Sequence, residues 1–268
     1  MSSSLLHRKN AAPPAPFPFR LLDTGSSPAV YNMAMDEALL ETVAAGALPV
    51  LRFYGWSPPA VSIGYFQGLE EEVDREACAR RGIDLVRRIS GGGAVFHDAE
   101  ITYSFIIPRD HPLAGTSIMA SYGQLCSGIT AGLGLLGIDA VFVPVNDIVA
   151  GGKKVSGNAQ TRRQGCVLQH GTVLLDSDPE LMFELLKVPP EKTKGKLIQD
   201  IKSRVTGLRA LLGRNVHFNE ARDALARGFK DALSLDYSGP SRPSPPEEAR
   251  AAALAREKFG SEAWLRRR

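Results

Sequence analysis

The chain has 268 residues, 44% of them hydrophobic and 23% charged, with a net charge of +3. That length accommodates one large domain, or one domain and a small appendage. The charge is too small to imply a nucleic-acid or membrane partner, and no apolar run reaches the roughly 18 residues of a membrane helix.

The opening "MSSSLLHRKNAAPPAPFPF" holds a short basic cluster followed by proline and alanine. It lacks the apolar core of a secretory signal, so residues 1–18 are expected to form a disordered lead-in. "NMAMDEALLETVAAG" reads as a helix with Met35, Leu39, Leu40 and Val43 on one stripe and Gly46 near its end. "PVLRFYGW" and "AVSIGYF" are two apolar runs joined by "SPP", the composition of a hairpin. "EEEVDREACARRG" is polar and helical, stopping at Gly82. "IDLVRRIS", "AVFHD" and "ITYSFIIP" follow with strand compositions, predicting a meander of antiparallel strands. "SYGQLCSGITAGLGLLG" returns to helical period through Leu125, Ile129, Leu133 and Leu136, and close packing on a sheet accounts for its glycines.

Three more strands are predicted in "DAVFVPVNDIVAGGKKVSGNAQTRR" and "CVLQHGTVLLD". "DPELMFELLKV" starts a helix with Asp178 as cap and Pro179 at its first position. "FNEARDALARGFKDAL" is a second polar-faced helix. "SGPSRPSPP" (238–246) has a linker's composition, and "EEARAAALAREKFG" is the closing helix before a solvated Arg266-Arg267-Arg268 tail. The sum is α+β over 19–237, one mostly antiparallel sheet with helices beside it. A C-terminal helix occupies 247–268.

Four segments carry residue types suited to chemistry. In "RRISGGGAVFHD" (87–98) three glycines leave backbone N–H groups unshielded, and flanking arginines suit an anion. The spacing matches neither the P-loop nor the dinucleotide fingerprint, and a glycine triplet is equally a bulge or turn. In "NDIVAGGKKVSGNAQ" (146–160) two lysines follow a Gly-Gly turn, which is also the composition of a plain hairpin tip. His170 in "QHGTVLLD" opens a strand, where a lone histidine is more often structural than catalytic. Cys166 lies four residues before it, about 13 Å at strand rise, too far for a hydrogen-bonded dyad. The three cysteines Cys78, Cys126 and Cys166 are odd in number and lack metal spacing, fitting reduced thiols in a cytoplasmic protein.

Together these segments resemble the biotin/lipoate ligase superfamily, and within it the lipoate–protein ligases. "RRISGGGAVFHD", "NDIVAGGKKVSGNAQ", "QHGTVLLD" and "SRVTGL" (203–208) match family motifs in family order, from about Leu21 to Trp264. The resemblance implies ATP-dependent activation of lipoate to lipoyl-AMP, then transfer to a lysine of a lipoyl-domain or glycine-cleavage-type carrier protein. It implies Lys154 and Arg88 as catalytic residues. Implied substrate- or nucleotide-binding residues are Ser90, Gly91, Gly92, Gly93, Ala94, His97, Asn146, Asp147, Lys153, Gly157, Ala159 and His170. Asp147 is implied as the Mg²⁺ ligand, making ATP, Mg²⁺ and lipoate the expected cofactors and substrate. Many such ligases carry an extra C-terminal domain that helps adenylation, and the residues after the linker are too few for it, so the resemblance implies either a separate accessory subunit for adenylation or an enzyme that manages without it.

Other segments of the same resemblance point elsewhere. "AEITYS", "LLDTGSSPAVYNMAMDEALL" and "RFYGWSPPAVSIGYFQ" look more like the octanoyltransferases of the superfamily, which use no ATP and pass octanoyl through a cysteine. Their cysteine precedes the lysine strand, where this chain reads "AVFVPVNDIVAGGKK" without one. The ligase is therefore the expected activity and the octanoyltransferase its alternative, with a catalytically silent carrier-binding domain as a third reading.

Overall fold

An eight-stranded mixed sheet organises the chain. The structure is a computed structural model that describes residues 15–187, 199 and 203–267. Most of the expected lead-in, residues 1–14, lies outside the described residues. Phe17–Pro18 form a short strand, β1, paired in parallel with Leu235–Asp236 (β12).

The sheet strands are β2 (Arg20–Ser27), β3 (Val50–Trp56), β7 (Glu100–Pro108), β8 (Ala140–Val143), β9 (Asp147–Ala150), β10 (Lys153–Arg163), β11 (Cys166–Leu174) and β13 (Pro240–Ser241). Their order across the sheet is β13-β2-β3-β7-β11-β10-β9-β8. The β13–β2 and β2–β3 pairs are parallel, and every later pair from β3–β7 to β9–β8 is antiparallel. The expected α+β class with a mixed, largely antiparallel sheet is therefore the one found.

Strand alternation gives the sheet two different faces. Leu51, Phe53, Ile101, Tyr103, Phe105 and Val173 point into a core closed by α4 (Ile118–Leu135) and by the helix Phe218–Leu233. Phe229 fills its centre, 5.2 Å from Tyr103 and 5.8 Å from Phe105 between ring centroids. Two of the α4 glycines, Gly128 and Gly132, serve this helix pair rather than the sheet. A Cβ at Gly128 would sit 2.3 Å from the Phe229 ring, and one at Gly132 would sit 2.7 Å from the Leu225 backbone.

The opposite face of the sheet carries Val50, Tyr54, Ile106 and Leu168, covered by α1 (Ala29–Ala44). This helix is buried nearly all round, because Ala251 and Leu254 of the closing helix Pro245–Leu254 join the same core. Helical period alone shows only the stripe Met35–Leu39–Leu40–Val43; the second covering layer is a tertiary feature.

Two expected strand pairings are corrected. The runs 50–56 and 60–63 do not form a hairpin, since β4 (Ala60–Ile63) joins a separate three-stranded sheet between β5 (Asp84–Arg87) and β6 (Val95–His97). Pro58 and Pro59 remove consecutive backbone donors at the junction, so the chain steps from one sheet to the other. The expected meander fails for the same reason: β5 lies parallel to β4, β6 antiparallel to it, and β7 returns to the large sheet. The polar segment after β4 forms two helices, α2 (Leu69–Glu72) and α3 (Arg75–Arg81), ending at left-handed Gly82. The residues expected as three strands after α4 make four, β8 to β11. The helix after them, α5 (Pro179–Leu185), is capped by Asp178 as its sequence predicts. Residues 238–246, expected as a linker, include β13 on the sheet edge and Ser244, which caps the closing helix in a capping box with Glu247.

Candidate active site

A cavity of about 770 Å³ opens between the two sheets, within the range typical of small-ligand sites. Its walls come from the glycine loop and β6, from one end of β7, β10 and β11, and from residues 176–182. Met33, Tyr54, Trp56, Phe96, Leu174 and Met182 supply apolar surface, Arg88, His97, Glu100, Lys154 and His170 supply ionisable groups, and Asp98, Asp176, Asp178 and Glu180 add carboxylates.

Arg88 is almost fully buried, and its guanidinium grips the loop that follows it. Nη2 donates to the carbonyls of Gly91 (2.8 Å) and Gly93 (2.7 Å), and Nη1 donates to Ser62 O and Oγ at 3.1 Å each. Burial pushes this guanidinium down to about 10, far enough above neutrality to keep its charge. Of the three glycines, Gly92 needs to be one: its φ is +95°, and a Cβ there would meet Arg88 Nη2 at 2.9 Å. Each trans peptide points its C=O and N–H in opposite directions. The Gly91 and Gly93 carbonyls face Arg88, so the N–H groups of Gly92 and Ala94 face away from it. Arg87, by contrast, is wholly buried outside this cavity. It donates to carbonyls of the 64–67 segment and of the C-terminal segment, among them Gln67 O (2.6 Å) and Leu265 O (2.8 Å).

The second arginine of the pair is thus spent on the loop and the first on the closing segment, where Trp264 Nε1 returns a bond to Arg87 O (2.9 Å). His97 stands beside the loop with both ring nitrogens engaged. Nδ1 is 2.8 Å from Glu100 Oε1, so it carries the proton, and Nε2 is 2.8 Å from Ser62 Oγ. Trp56 stacks on the imidazole at 4.0 Å, while its Nε1 donates to Thr102 Oγ1 (2.8 Å) and Glu100 Oε1 (3.1 Å). A continuous chain of hydrogen bonds therefore runs from Glu100 through His97 and Ser62 to Arg88.

His170 belongs to a second buried network. Its Nδ1 lies 3.1 Å from Asp36 Oδ2 and its Nε2 lies 2.5 Å from Ser90 Oγ, which ties β11 to α1 and to the loop. Arg52 completes the network, 2.7 Å from Asp36 Oδ1 and bonded also to Asn32 and Thr24. Burial raises the Asp36 carboxyl, but the His170 hydrogen bond and the Arg52 charge outweigh it and hold the group below the ordinary carboxylate range.

Lys154 lies on β10, where the register slips between Lys154 and Ser156. Its Nζ is 2.6 Å from Asp147 Oδ1, and its side chain is 40% exposed, so the ammonium is held yet open to the cavity. Gly157 makes room for it, since a Cβ there would lie 2.9 Å from both Cε and Nζ. The "SRVTGL" segment packs against the same residue: Val205 bridges to Lys154, and Thr206 N donates to Lys154 O at 2.9 Å. Asn146 bonds through its amide to the Asn158 carbonyl, and Asn158 Nδ2 donates back to Asn146 O at 2.9 Å. That pair staples the turn between β8 and β9 to β10.

Of the residues singled out in the sequence, Arg88, Gly92, Gly93, Ala94, His97, Asn146, Lys154, Gly157, Ala159 and His170 line this one cavity. Ser90, Gly91, Asp147 and Lys153 do not line it, although Ser90 and Asp147 touch residues that do. Sequence reasoning missed Asp36, Arg52, Ser62, Glu100 and Asn158. The available signal was a charge inside an apolar run, as with Asp36 in "NMAMDEALL" and Arg52 in "PVLRFYGW". Such a charge is buried only with a partner.

A cavity with an apolar wall and a held ammonium, set on a mixed sheet flanked by helices, fits the biotin/lipoate ligase fold that the sequence motifs imply. The family described as "Lipoyl protein ligase A/B catalytic domain" matches residues 28–230, and the chain belongs to that family. It is 39% identical over 270 residues to the octanoyltransferase LipM of Geobacillus kaustophilus, covering 92% of this chain and 97% of the relative. It is 40% identical over 273 residues to LipM of Symbiobacterium thermophilum, covering 93% and 98%. Among solved structures it resembles a chain of a bi-partite lipoate protein ligase from Thermoplasma acidophilum, at a TM-score of 0.85 and 32% identity over 94% of this chain and 97% of that one.

These relatives correct the expected activity. Near-full-length similarity to octanoyltransferases overturns the ATP-dependent ligase, and with it lipoyl-AMP, ATP and Mg²⁺ as requirements. A transferase receives an acyl group that already has a leaving group, so nothing remains for adenylation to activate. The expected accessory subunit for adenylation loses its purpose with that step. The site agrees at Asp147, whose carboxylate charge is met by the Lys154 ammonium. Among the described residues no group of three or more His, Cys, Asp or Glu could hold a metal ion, and no helix is long and apolar enough to cross a membrane.

Proposed function

We propose that this chain is an acyltransferase that moves an octanoyl group from a carrier-protein thioester to a lysine of a lipoyl domain, without ATP. A glycine-cleavage-type carrier protein is an acceptor of the same chemistry. The observation that carries the reading is the fixed, open Lys154 ammonium at an apolar cavity in a chain whose near-full-length relatives are octanoyltransferases. Octanoyl is uncharged and flexible, and the apolar wall of Trp56, Phe96, Leu174 and Met182 suits it.

Attack on a thioester carbonyl puts negative charge on the carbonyl oxygen. Preorganised donors aimed at that oxygen lower the barrier most in a site closed to water. Lys154 supplies the charge, and the N–H groups of Gly92 and Ala94 supply the dipoles. Arg88 and His97 act as positioning residues, since their own polar atoms are taken up by the loop, Ser62 and Glu100. The free state of all three cysteines fits a reducing cytoplasmic setting for this activity.

The test is an intact-mass assay of a lipoyl domain incubated with the chain and an octanoyl-carrier-protein thioester. A mass increase of one octanoyl group without nucleotide supports the reading. Modification that requires free acid together with ATP, and does not occur from the thioester, refutes it.

A further inference from the structure

The acyltransferase reading leaves open which atom of the chain first receives the octanoyl group. No thiol is placed to do so. Cys78, Cys126 and Cys166 are buried and free, and none of them lines the cavity. Burial pushes the Cys78 thiol up to about 11 and the Cys126 thiol up to about 12, away from the thiolate that attacks.

Two serines meet a histidine that a carboxylate holds in turn, the arrangement that activates a hydroxyl. Ser90 with His170 and Asp36 is one, but Ser90 is fully buried and does not line the cavity. Ser62 with His97 and Glu100 is the other, and these three buried side chains all line it. Strand register sets the second group. Ala60 pairs with His97 and Ser62 with Val95, so Ser62 and His97 are diagonal neighbours on one face of β4 and β6. Ser62 Oγ is 2.8 Å from His97 Nε2, and His97 Nδ1 is 2.8 Å from Glu100 Oε1. The Nδ1 proton faces the carboxylate, so Nε2 accepts from the serine hydroxyl, and Trp56 stacked at 4.0 Å fixes the ring. A hydroxyl oxygen has two lone pairs. Arg88 Nη1 donates to one at 3.1 Å, and the other remains for an acyl carbon. The guanidinium charge also favours release of the hydroxyl proton.

We propose that Ser62 is the nucleophile, with His97 as its base and Glu100 as the residue that orients His97. This rests on the acyltransferase reading above and adds an octanoyl-serine ester to it. In the first step Ser62 Oγ bonds to the thioester carbonyl carbon, and the C–S bond breaks with its electron pair going to sulfur. The serine proton passes through His97 Nε2 to the departing thiolate. In the second step the neutral ε-amine of the acceptor lysine bonds to the same carbon, and the ester C–O bond breaks. The proton lost by nitrogen returns through His97 to Ser62 Oγ. The products are a free carrier thiol, an amide and the original serine. His97 thus positions Ser62 at rest and carries its proton during each step.

The ester is the testable species. The chain is mixed with octanoyl-carrier-protein alone, its intact mass and peptide map are followed, and lipoyl domain is then added. The expected result is one octanoyl adduct at Ser62, resistant to neutral hydroxylamine as an ester and discharged by the lipoyl domain. Ser62→Ala, with its folded fraction normalised by circular dichroism, should carry no adduct and lose more than about a thousandfold in transfer. Ser62→Cys keeps an attacking atom, and its adduct should become a thioester that neutral hydroxylamine releases. Glu100→Gln should slow adduct formation by more than about 100-fold without moving it from Ser62. An adduct on a cysteine or on Ser90, or transfer with no adduct, overturns the assignment while leaving the acyltransferase reading intact. So does a folded Ser62→Ala variant within about tenfold of the parent. If the unaltered chain transfers nothing from the thioester, the acyltransferase reading itself falls, and this proposal with it.

Discussion

Replacing Gly157 with alanine separates the position of the Lys154 ammonium from its presence. The new Cβ would stand 2.9 Å from Lys154 Cε and Nζ. Ordinary contact between such atoms is about 3.5–4.0 Å, so the ammonium must withdraw by roughly 0.6–1 Å. The clash is with the far end of a flexible side chain, and Gly157 lies inside β10 in a conformation open to alanine. The fold should therefore hold, with a gain of up to about 1 kcal/mol from replacing a strand glycine. Catalysis should not hold, because displacing a catalytic group by about 1 Å can cost on the order of 100-fold. The expected variant melts at or slightly above the parent temperature and transfers octanoyl roughly 10- to 100-fold more slowly, with KM for the donor little changed. Octanoyl transfer read by intact mass, beside a thermal melt, measures both. Unchanged turnover would refute the role of the Lys154 position, and a large fall in melting temperature would show that Gly157 is kept for packing.

Lys154→Ala should lower kcat by about 100- to 1,000-fold while changing stability little, since a half-exposed ion pair contributes at most about 1 kcal/mol; a melt and a rate assay together check this. Asp36→Asn removes the counter-charge of the fully buried Arg52 and should cost about 3–5 kcal/mol, read as a lowered urea midpoint. The Asp36 carboxyl sits below its ordinary range, so its contribution is complete above that range and is lost as pH falls through the lowered value. The Asn variant should accordingly lose less stability than the parent on acidification, which a melt series in acid tests. Gly128→Ala drives a methyl into the Phe229 ring and should destabilise by about 1–3 kcal/mol without changing the rate of the folded fraction. Finally, the native chain should resist alkylation by iodoacetamide at about pH 8 and keep its activity, with all three thiols modified only after unfolding.

Most elements were legible from local pattern. The helix Phe218–Leu233 coincides with its predicted segment, and Asp178 and Gly82 mark their helix ends as their chemistry requires. The Gly-Gly turn before Lys153 was legible for the same reason, since Gly151 and Gly152 both take positive φ. Pairing was less legible. Two adjacent apolar runs look alike whether they form a hairpin or enter different sheets, and only the packing of β4 between β5 and β6 decides it. The activity was misjudged because the cysteine missing from "AVFVPVNDIVAGGKK" outweighed the segments that lean to the transferases, "AEITYS" among them. Glu100, in that segment, is the hub that holds His97, Trp56 and Thr102.

By itself, the sequence determined which segments become helix or strand, the kind of fold, and the candidate side chains around the glycine triplet and the lysine pair. These follow from periodicity, turn chemistry and motif order, which are local. Only the tertiary structure decided how those side chains divide their bonds. Arg88 looks like an anion receptor in sequence, yet it grips the carbonyls of its own loop and turns the loop's N–H groups the other way. His170 looks like a lone histidine, yet it joins Asp36 on a helix 134 residues away in sequence. The same holds for the thiols, whose burial away from the cavity no spacing rule reveals. A hydrogen bond or a desolvated group depends on what the folded chain brings within about 3 Å, and that proximity is not encoded in any single stretch of residues.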